Sequence, residues 1–112
     1  MSLTNRRAET RLAVRMPIRF RPITEPPSAE QSAESVDISH HGLYFTTSFP
    51  LRVGEKVEIH LRMPRELSQN VAQVRWDARV MHIEQETPAR KIGVGVRVER
   101  VSPLAESESW VS

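Results

Sequence analysis

A strict alternation of apolar and polar residues between positions 56 and 63 constrains this chain more than any other feature. The apolar set is Val57, Ile59, Leu61 and Met63, and the polar set is Lys56, Glu58, His60 and Arg62. A period of two residues indicates a β-strand with one buried face and one outer face. Pro64 follows and has no backbone N–H for a sheet, so it predicts the end of this strand.

The same alternation recurs along most of the chain. The further predicted strands cover about residues 15–21, 36–38, 43–48, 72–80 and 91–98, and they turn Phe20, Phe45 and Trp76 inward. If about six such antiparallel strands formed a flat sheet, the apolar face of the sheet would be exposed to solvent. Closure into a barrel buries the face and removes most sheet edges. The sequence therefore predicts an all-β fold, a six-stranded antiparallel β-barrel.

The chain divides into three predicted parts. Residues 1–14 form an N-terminal arm, residues 15–101 form the barrel, and residues 102–112 form a short helix or a tail. Ser102 has the position of a helix N-cap, with Pro103 in the first turn. The polar residues that follow are equally compatible with a frayed tail. Alternation also predicts that His60 lies on the outer face and that His82 follows Val80 in the inner register.

Composition excludes several classes of protein. With 112 residues the chain fits one domain, and it has no apolar stretch near the ~20 residues of a membrane span. The charged N-terminus has no apolar block behind it, so we expect no signal peptide and a cytoplasmic protein. The chain has no cysteine, and two adjacent histidines, His40 and His41, rarely chelate one ion, so we expect no metal site.

The positive charges of this chain are nearly all arginines, and the positions of those arginines bear on the kind of ligand. The net charge of +2 is too small for a generic polyanion binder, and Lys56 and Lys91 are the only lysines. Arginine presents a planar fork of donors that fits phosphate and guanine edges, although codon bias in a GC-rich genome also explains its abundance. Two local features lie outside the strand pattern: the segment from Arg6 to Arg11, and the turn from Asp37 to Gly42.

Each feature has an ordinary explanation when it is considered alone. Arginines near a terminus are often solvated charges, and Asp, Ser and Gly often form turns. Together, Arg7-Ala-Glu-Thr-Arg11 and Asp37-Ile-Ser39-His-His-Gly42 resemble the two motifs of the PilZ family, R-x-x-x-R and [D/N]-x-S-x-x-G. The similarity extends through the Val74-Arg75-Trp76 strand and the closing strand, where Val98 replaces the aromatic residue of many members.

The resemblance implies a split β-barrel that binds cyclic di-GMP. The ligand-binding residues it implies are Arg6, Arg7, Arg11, Asp37, Ser39 and Gly42. The two motif arginines would meet guanine O6 and N7 or a phosphate, and the aspartate would accept from the guanine N–H edge or hold an arginine. The serine would offer a hydroxyl, and Gly42 would supply a positive φ and a close approach to the backbone.

The resemblance also implies how such a receptor works. The arm is mobile when empty and folds over the ligand, which amounts to a switch by ordering of a segment. Arg6 precedes the motif at a position that influences whether one nucleotide or a stacked pair binds, and a long cation favours the pair. No cofactor is expected besides the ligand, and the signal would pass to a downstream protein partner.

Three rival functions are compatible with a small barrel. A PilZ-like protein–protein adaptor that has lost nucleotide binding would lack the motif residues that are intact in this chain. A barrel that binds single-stranded RNA or DNA would expose aromatic side chains for base stacking, whereas the aromatics here are predicted to face inward. An enzyme is least expected, because the sequence has no activated nucleophile, no spaced carboxylate pair and no phosphate-binding loop.

Overall fold

The computed structural model describes residues 11–67, 73–86 and 90–104. In these ranges the chain forms six antiparallel strands. The strands are β1 (Pro17–Pro22), β2 (Gln31–Ile38), β3 (Gly42–Thr47), β4 (Lys56–Arg62), β5 (Gln73–Glu86) and β6 (Lys91–Pro103). A single 3-10 turn, Arg65–Leu67, follows β4 within the described residues. The strands close in the order β1-β2-β3-β6-β5-β4, so the predicted six-stranded barrel is confirmed.

The inward faces of neighbouring strands supply the core of the barrel. Phe20 of β1 lies opposite Ile59 of β4, which lies opposite Trp76 of β5. All three side chains are almost completely buried. The ring of Phe20 also packs against Phe45, with centroids 5.0 Å apart. The inward orientation predicted for Phe20, Phe45 and Trp76 is therefore confirmed.

The prediction for His82 is wrong, because β5 contains a bulge. The register of β5 against β6 shifts between Val80 and His82. A bulge adds one residue to one strand and reverses which residues face inward beyond it. The His82 side chain is consequently 61% exposed, while Ile83 packs against the core. This reversal brings a histidine onto the outer surface near the turn between β2 and β3.

The helix start predicted at Ser102 is also wrong. Strand β6 continues through this position, and Ser102 and Pro103 pair with Arg75 and Val74 of β5. Cross-strand hydrogen bonding satisfies the backbone here, so a helical cap is not required. Residues 105–112, on which the predicted helix or tail depends, lie outside the described residues.

A network of charged side chains covers the outer face of β1, β4 and β5. Its centre is Glu58, which is only 7% exposed although it points away from the core. One carboxylate oxygen of Glu58 lies 3.3 Å from Nε of Arg21, and the other lies 2.6 Å from Nε2 of His60 and 3.9 Å from Nε of Arg75. His60 therefore lies on the outer side, as alternation predicts, and is largely covered by this network.

This network predicts how stability depends on pH. Burial raises the pKa of Glu58, but the hydrogen bond with His60 and the charges of Arg75 and Arg21 outweigh it and hold the pKa below its ordinary value of 4.5. A lowered carboxyl pKa contributes stability above the unfolded value, and that stability is lost as the pH falls through the folded pKa. We expect Glu58→Gln to lower the free energy of unfolding near neutral pH by about 1–3 kcal/mol.

Urea unfolding of the two proteins at neutral pH and below the folded pKa of Glu58 measures this effect. The difference between wild type and Glu58→Gln should shrink in acid, where the native carboxyl is protonated. Glu34→Gln is the matched control, because the Glu34 side chain is 60% exposed and its carboxylate lies 3.6 Å from Arg15. Exposed pairs of this kind contribute little, so the control should unfold like wild type. An equal loss in both variants would contradict the role of Glu58.

Candidate ligand-binding groove

The turn between β2 and β3 is organised around Ser39. This residue is fully buried, and its hydroxyl accepts hydrogen bonds from the backbone N–H groups of His41 and Gly42, both at 3.2 Å. Its own backbone N–H donates to the Gly42 carbonyl at 2.9 Å. Ser39 therefore shapes the turn, as small hydroxyl residues commonly do.

Gly42 is required by close packing rather than by backbone conformation. Its φ lies outside the left-handed region, so the positive φ predicted for it is wrong; Gly54, with φ 94°, is the glycine with this geometry in the described part of the chain. A Cβ atom built on Gly42 would lie 2.4 Å from the carbonyl oxygen of Val96. Strands β3 and β6 approach so closely here that a side chain does not fit.

Arg11 and Asp37 come together because the chain before β1 pairs with the end of β2. Leu12 and Ile38 exchange two backbone hydrogen bonds, of 2.8 and 2.9 Å. This short bridge brings Nη1 of Arg11 to 2.6 Å from Oδ1 of Asp37. The side chains are 52% and 30% exposed, so the charge-assisted pair remains open to solvent and to a ligand.

This ion pair lies at a cavity of about 530 Å³ on the outside of the barrel. Cavities of roughly 300–1,000 Å³ are typical of small-molecule sites. Described residues from four segments line it: the chain before β1, the β2–β3 region, the bulge of β5, and β6. The lining side chains and backbone belong to Arg11, Asp37, His41, Gly42, Leu43, Tyr44, Met81, His82, Gly95, Val96 and Arg97.

Two planar side chains flank a glycine along this cavity. Gly95 of β6 lies opposite Tyr44 of β3 and His82 of β5, and a Cβ atom on it would contact both side chains at ordinary distances. Glu84 bridges the two rings: it accepts from the Tyr44 hydroxyl at 2.7 Å and lies 3.4 Å from Nε2 of His82. The Tyr44 hydrogen bond and then that of His82 hold the pKa of Glu84 below 4.5, so it is ionised at neutral pH.

The lining of the cavity offers both hydrogen-bond donors and a carboxylate acceptor. Arg11 and Arg97 are the arginines of the lining, and His41 and His82 are its histidines. Asp37 is the acidic residue in the lining, and its charge is balanced by Arg11 at 2.6 Å. Arginine forks bind phosphate and guanine in a planar, bidentate manner, and an acceptor beside them matches the N–H edge of guanine.

The structure brings together part of the predicted site. Arg11, Asp37 and Gly42 line the cavity, whereas Ser39 is not part of the lining: it is buried, and its hydroxyl bonds within the turn. Arg6 and Arg7 lie outside the described residues.

Sequence reasoning did not predict the lining residues that β3, β5 and β6 contribute beyond Gly42, among them Tyr44, His82 and Arg97. One sequence feature did point to this region: Gly95 has no side chain on the outer face of its strand, which permits close approach by a ligand or another backbone. Its cross-strand neighbours were not identifiable without the register.

Comparison with known proteins assigns this architecture to a family. Residues 5–109 match the sequence model of the PilZ domain. The chain belongs to the PilZ family. PilZ domains are a family of cyclic di-GMP receptors, and they are binding or adaptor domains rather than enzymes. No curated protein matches the sequence at a significant level.

The solved structures that share the fold of this PilZ domain include a motility inhibitor and a domain of CeSA. The Bacillus subtilis inhibitor of motility, MotI/DgrA, superposes with a TM-score of 0.66 at 18% identity, over 87% of this chain and 44% of that one. The chain therefore spans less than half the length of MotI/DgrA. The PilZ domain of CeSA, from a cellulose-synthesizing bacterium, gives a TM-score of 0.55 at 14% identity, over 81% and 82% of the two chains. At these identities the likeness is one of fold.

Two features are absent from the described ranges of this PilZ domain. None of its helices there has the length and apolar content needed to cross a membrane. Those ranges also contain no group of three or more histidine or acidic side chains arranged to hold a metal ion.

Proposed function

We propose that this PilZ domain is a receptor for cyclic di-GMP and that the ligand orders the N-terminal arm over the groove. The observation that carries the proposal is the Arg11–Asp37 pair, 2.6 Å apart and solvent-accessible, in the lining of a cavity of about 530 Å³. Membership in a family of cyclic di-GMP receptors supports the choice of ligand.

The chemistry of the groove fits the two kinds of group that cyclic di-GMP presents. Guanine offers O6 and N7 as adjacent acceptors, which one arginine fork meets together. Its N–H edge needs an acceptor, and Asp37 lies beside Arg11 for that purpose. The phosphates accept charge-assisted hydrogen bonds from further arginines, for which Arg97 of the lining and Arg7 of the motif are the candidates.

The planar side chains of the lining support the same ligand. Tyr44 and His82 flank Gly95, and Glu84 holds both rings by hydrogen bonds. A purine gains contact area and stacking from aromatic groups of this kind. The glycine between them leaves room for a base to approach the β6 backbone.

The output of such a receptor would be an interaction with a downstream protein. Ordering the arm over the groove would change the surface formed by the arm, β3 and β6, and a partner would read that change. The structural neighbour MotI/DgrA is an inhibitor of motility, and a regulatory role of that general kind suits a small binding domain. A receptor for this second messenger would act in the cytoplasm of a bacterium, the compartment expected from the sequence.

A thermal unfolding experiment with added nucleotide tests the proposal. A ligand present at 100 times its Kd stabilises the native state by about 2.7 kcal/mol. For a domain of this size that corresponds to a rise in Tm of roughly 10 °C. We expect this rise with cyclic di-GMP and a much smaller one with GMP or cyclic di-AMP at the same concentration. An unchanged Tm with saturating cyclic di-GMP would contradict the proposal.

A further inference from the structure

We propose that Ser35, a residue outside both motifs, is a positioning residue that holds the base of the arm and thereby presents Arg11 to the ligand. Ser35 lies in β2 and is fully buried. Its hydroxyl donates to the Val14 carbonyl and accepts from the Met16 N–H at 3.1 Å. Its backbone N–H donates to the Met16 carbonyl at 2.9 Å.

A bulge in β2 places the side chains of Ser35 and Asp37 in different environments. In a regular strand, residues two apart share a face, so both side chains would point the same way. The register against β3 shifts between these two residues: Ser35 lies opposite Phe45, and Asp37 lies opposite Tyr44. Ser35 is consequently buried against the chain before β1, while Asp37 is 30% exposed in the groove. One strand thus carries both the anchor of the arm and the partner of Arg11.

Hydrogen bonds to β2 hold the C-terminal end of the arm, where it joins β1. Ser35 makes three hydrogen bonds to Val14 and Met16, and Ile38 makes two to Leu12. Arg11 immediately precedes this fastened segment, and its guanidinium lies 2.6 Å from Asp37. Groups that are already ordered cost less conformational entropy on binding, which is the general basis of preorganisation. Removing the Ser35 hydroxyl leaves the Val14 carbonyl and the Met16 N–H without this partner and loosens the segment.

The inference rests on the proposed function for its effect on affinity, and it has a second, ligand-independent consequence. We expect Ser35→Ala to weaken cyclic di-GMP binding roughly two- to tenfold, the effect of losing one net hydrogen bond. We also expect faster hydrogen exchange at the Leu12 amide, which is bonded to the Ile38 carbonyl at 2.8 Å. Val74→Ala is the control for general stability, because Val74 is a core residue of β5 that pairs with β4 and β6.

A double-mutant cycle separates positioning from a purely structural role. If Ser35 acts through Arg11, then Ser35→Ala should add little to the loss of affinity in an Arg11→Ala background. A purely structural effect would multiply with that of Arg11→Ala and would appear equally in Val74→Ala; that result would overturn the inference. Unchanged exchange at Leu12 in Ser35→Ala would also overturn it, whether or not the nucleotide binds. Failure of the wild type to bind would contradict the proposed function alone.

Discussion

Arg11→Ala should weaken cyclic di-GMP binding by about 1–3 kcal/mol, which is roughly five- to 150-fold at 25 °C. Two losses combine in this variant. The ligand loses a guanidinium fork, and Asp37 loses the cation 2.6 Å away that balances its charge beside an anionic ligand. Because the Arg11 side chain is 52% exposed and has its ion pair at the surface, the fold itself should be affected little. Isothermal titration calorimetry measures the affinity, and circular dichroism confirms the fold.

Arg15→Ala is the matched control for this prediction. It removes the same kind of side chain four residues further along, where the side chain is 70% exposed and its guanidinium lies 3.6 Å from Glu34. Arg15 is not among the residues that line the cavity. Its replacement should therefore leave the affinity within about a factor of two, the scale of weak surface electrostatics. Equal losses in Arg11→Ala and Arg15→Ala would show that charge in general, rather than the groove, attracts the nucleotide.

Gly42→Ala should destabilise the barrel far more than Arg11→Ala does. The added Cβ would lie 2.4 Å from the Val96 carbonyl oxygen, so β3 and β6 must separate to admit it. Overpacking of this kind costs about 1–3 kcal/mol and sometimes more. For a domain of about this size the Tm should fall by roughly 5–15 °C. Thermal unfolding without ligand measures the effect directly.

Gly95→Ala provides the comparison for Gly42. A Cβ on Gly95 would have His82 Cβ at 3.5 Å and Tyr44 Cδ1 at 3.8 Å as its nearest neighbours, which are ordinary contacts. Its stability should stay within about 1 kcal/mol of wild type, because alanine is tolerated at least as well as glycine in an unstrained strand. Its affinity should fall, since the methyl group occupies the space between the two rings. Equal destabilisation by both substitutions would refute the packing explanation for Gly42.

The barrel was predictable because burial repeats with a period of two. Residues such as Val57, Ile59 and Leu61 alternate with charged neighbours, and only one face can be apolar for each such strand. The bulges were not predictable from alternation. They depend on cross-strand pairing: the shift between Val80 and His82 turned a predicted inward histidine outward, and the extension of β6 replaced a predicted helix start at Ser102.

The site was predictable to the extent that its residues are local in sequence. Asp37 and Gly42 belong to one turn, and the resemblance to PilZ motifs pairs that turn with Arg11. Tyr44, His82 and Arg97 lie on three different strands and meet only through the barrel's register. The direct contact predicted for Ser39 stays a prediction, because in this structure its hydroxyl bonds within the turn. The predicted roles of Arg6 and Arg7 likewise stay predictions.

The two rival binding functions, a nucleic-acid-binding barrel and a nucleotide-independent adaptor, predict different experimental results. A labelled single-stranded oligonucleotide that binds with a steep salt dependence would favour the nucleic-acid barrel. A protein that binds a partner equally with and without nucleotide would favour the adaptor. A receptor should capture its partner in a nucleotide-dependent manner, and that dependence should disappear in Arg11→Ala.

Titration calorimetry of the wild-type chain with cyclic di-GMP is the direct test of nucleotide binding by this domain. We expect saturable heat with cyclic di-GMP, and far weaker binding of GMP and cyclic di-AMP, because the arginine fork matches guanine O6 and N7 and the phosphates together. The stoichiometry will distinguish one bound nucleotide from a stacked pair, the form that Arg6 favours by resemblance. The absence of binding heat and of any thermal shift at high ligand concentration would contradict the account.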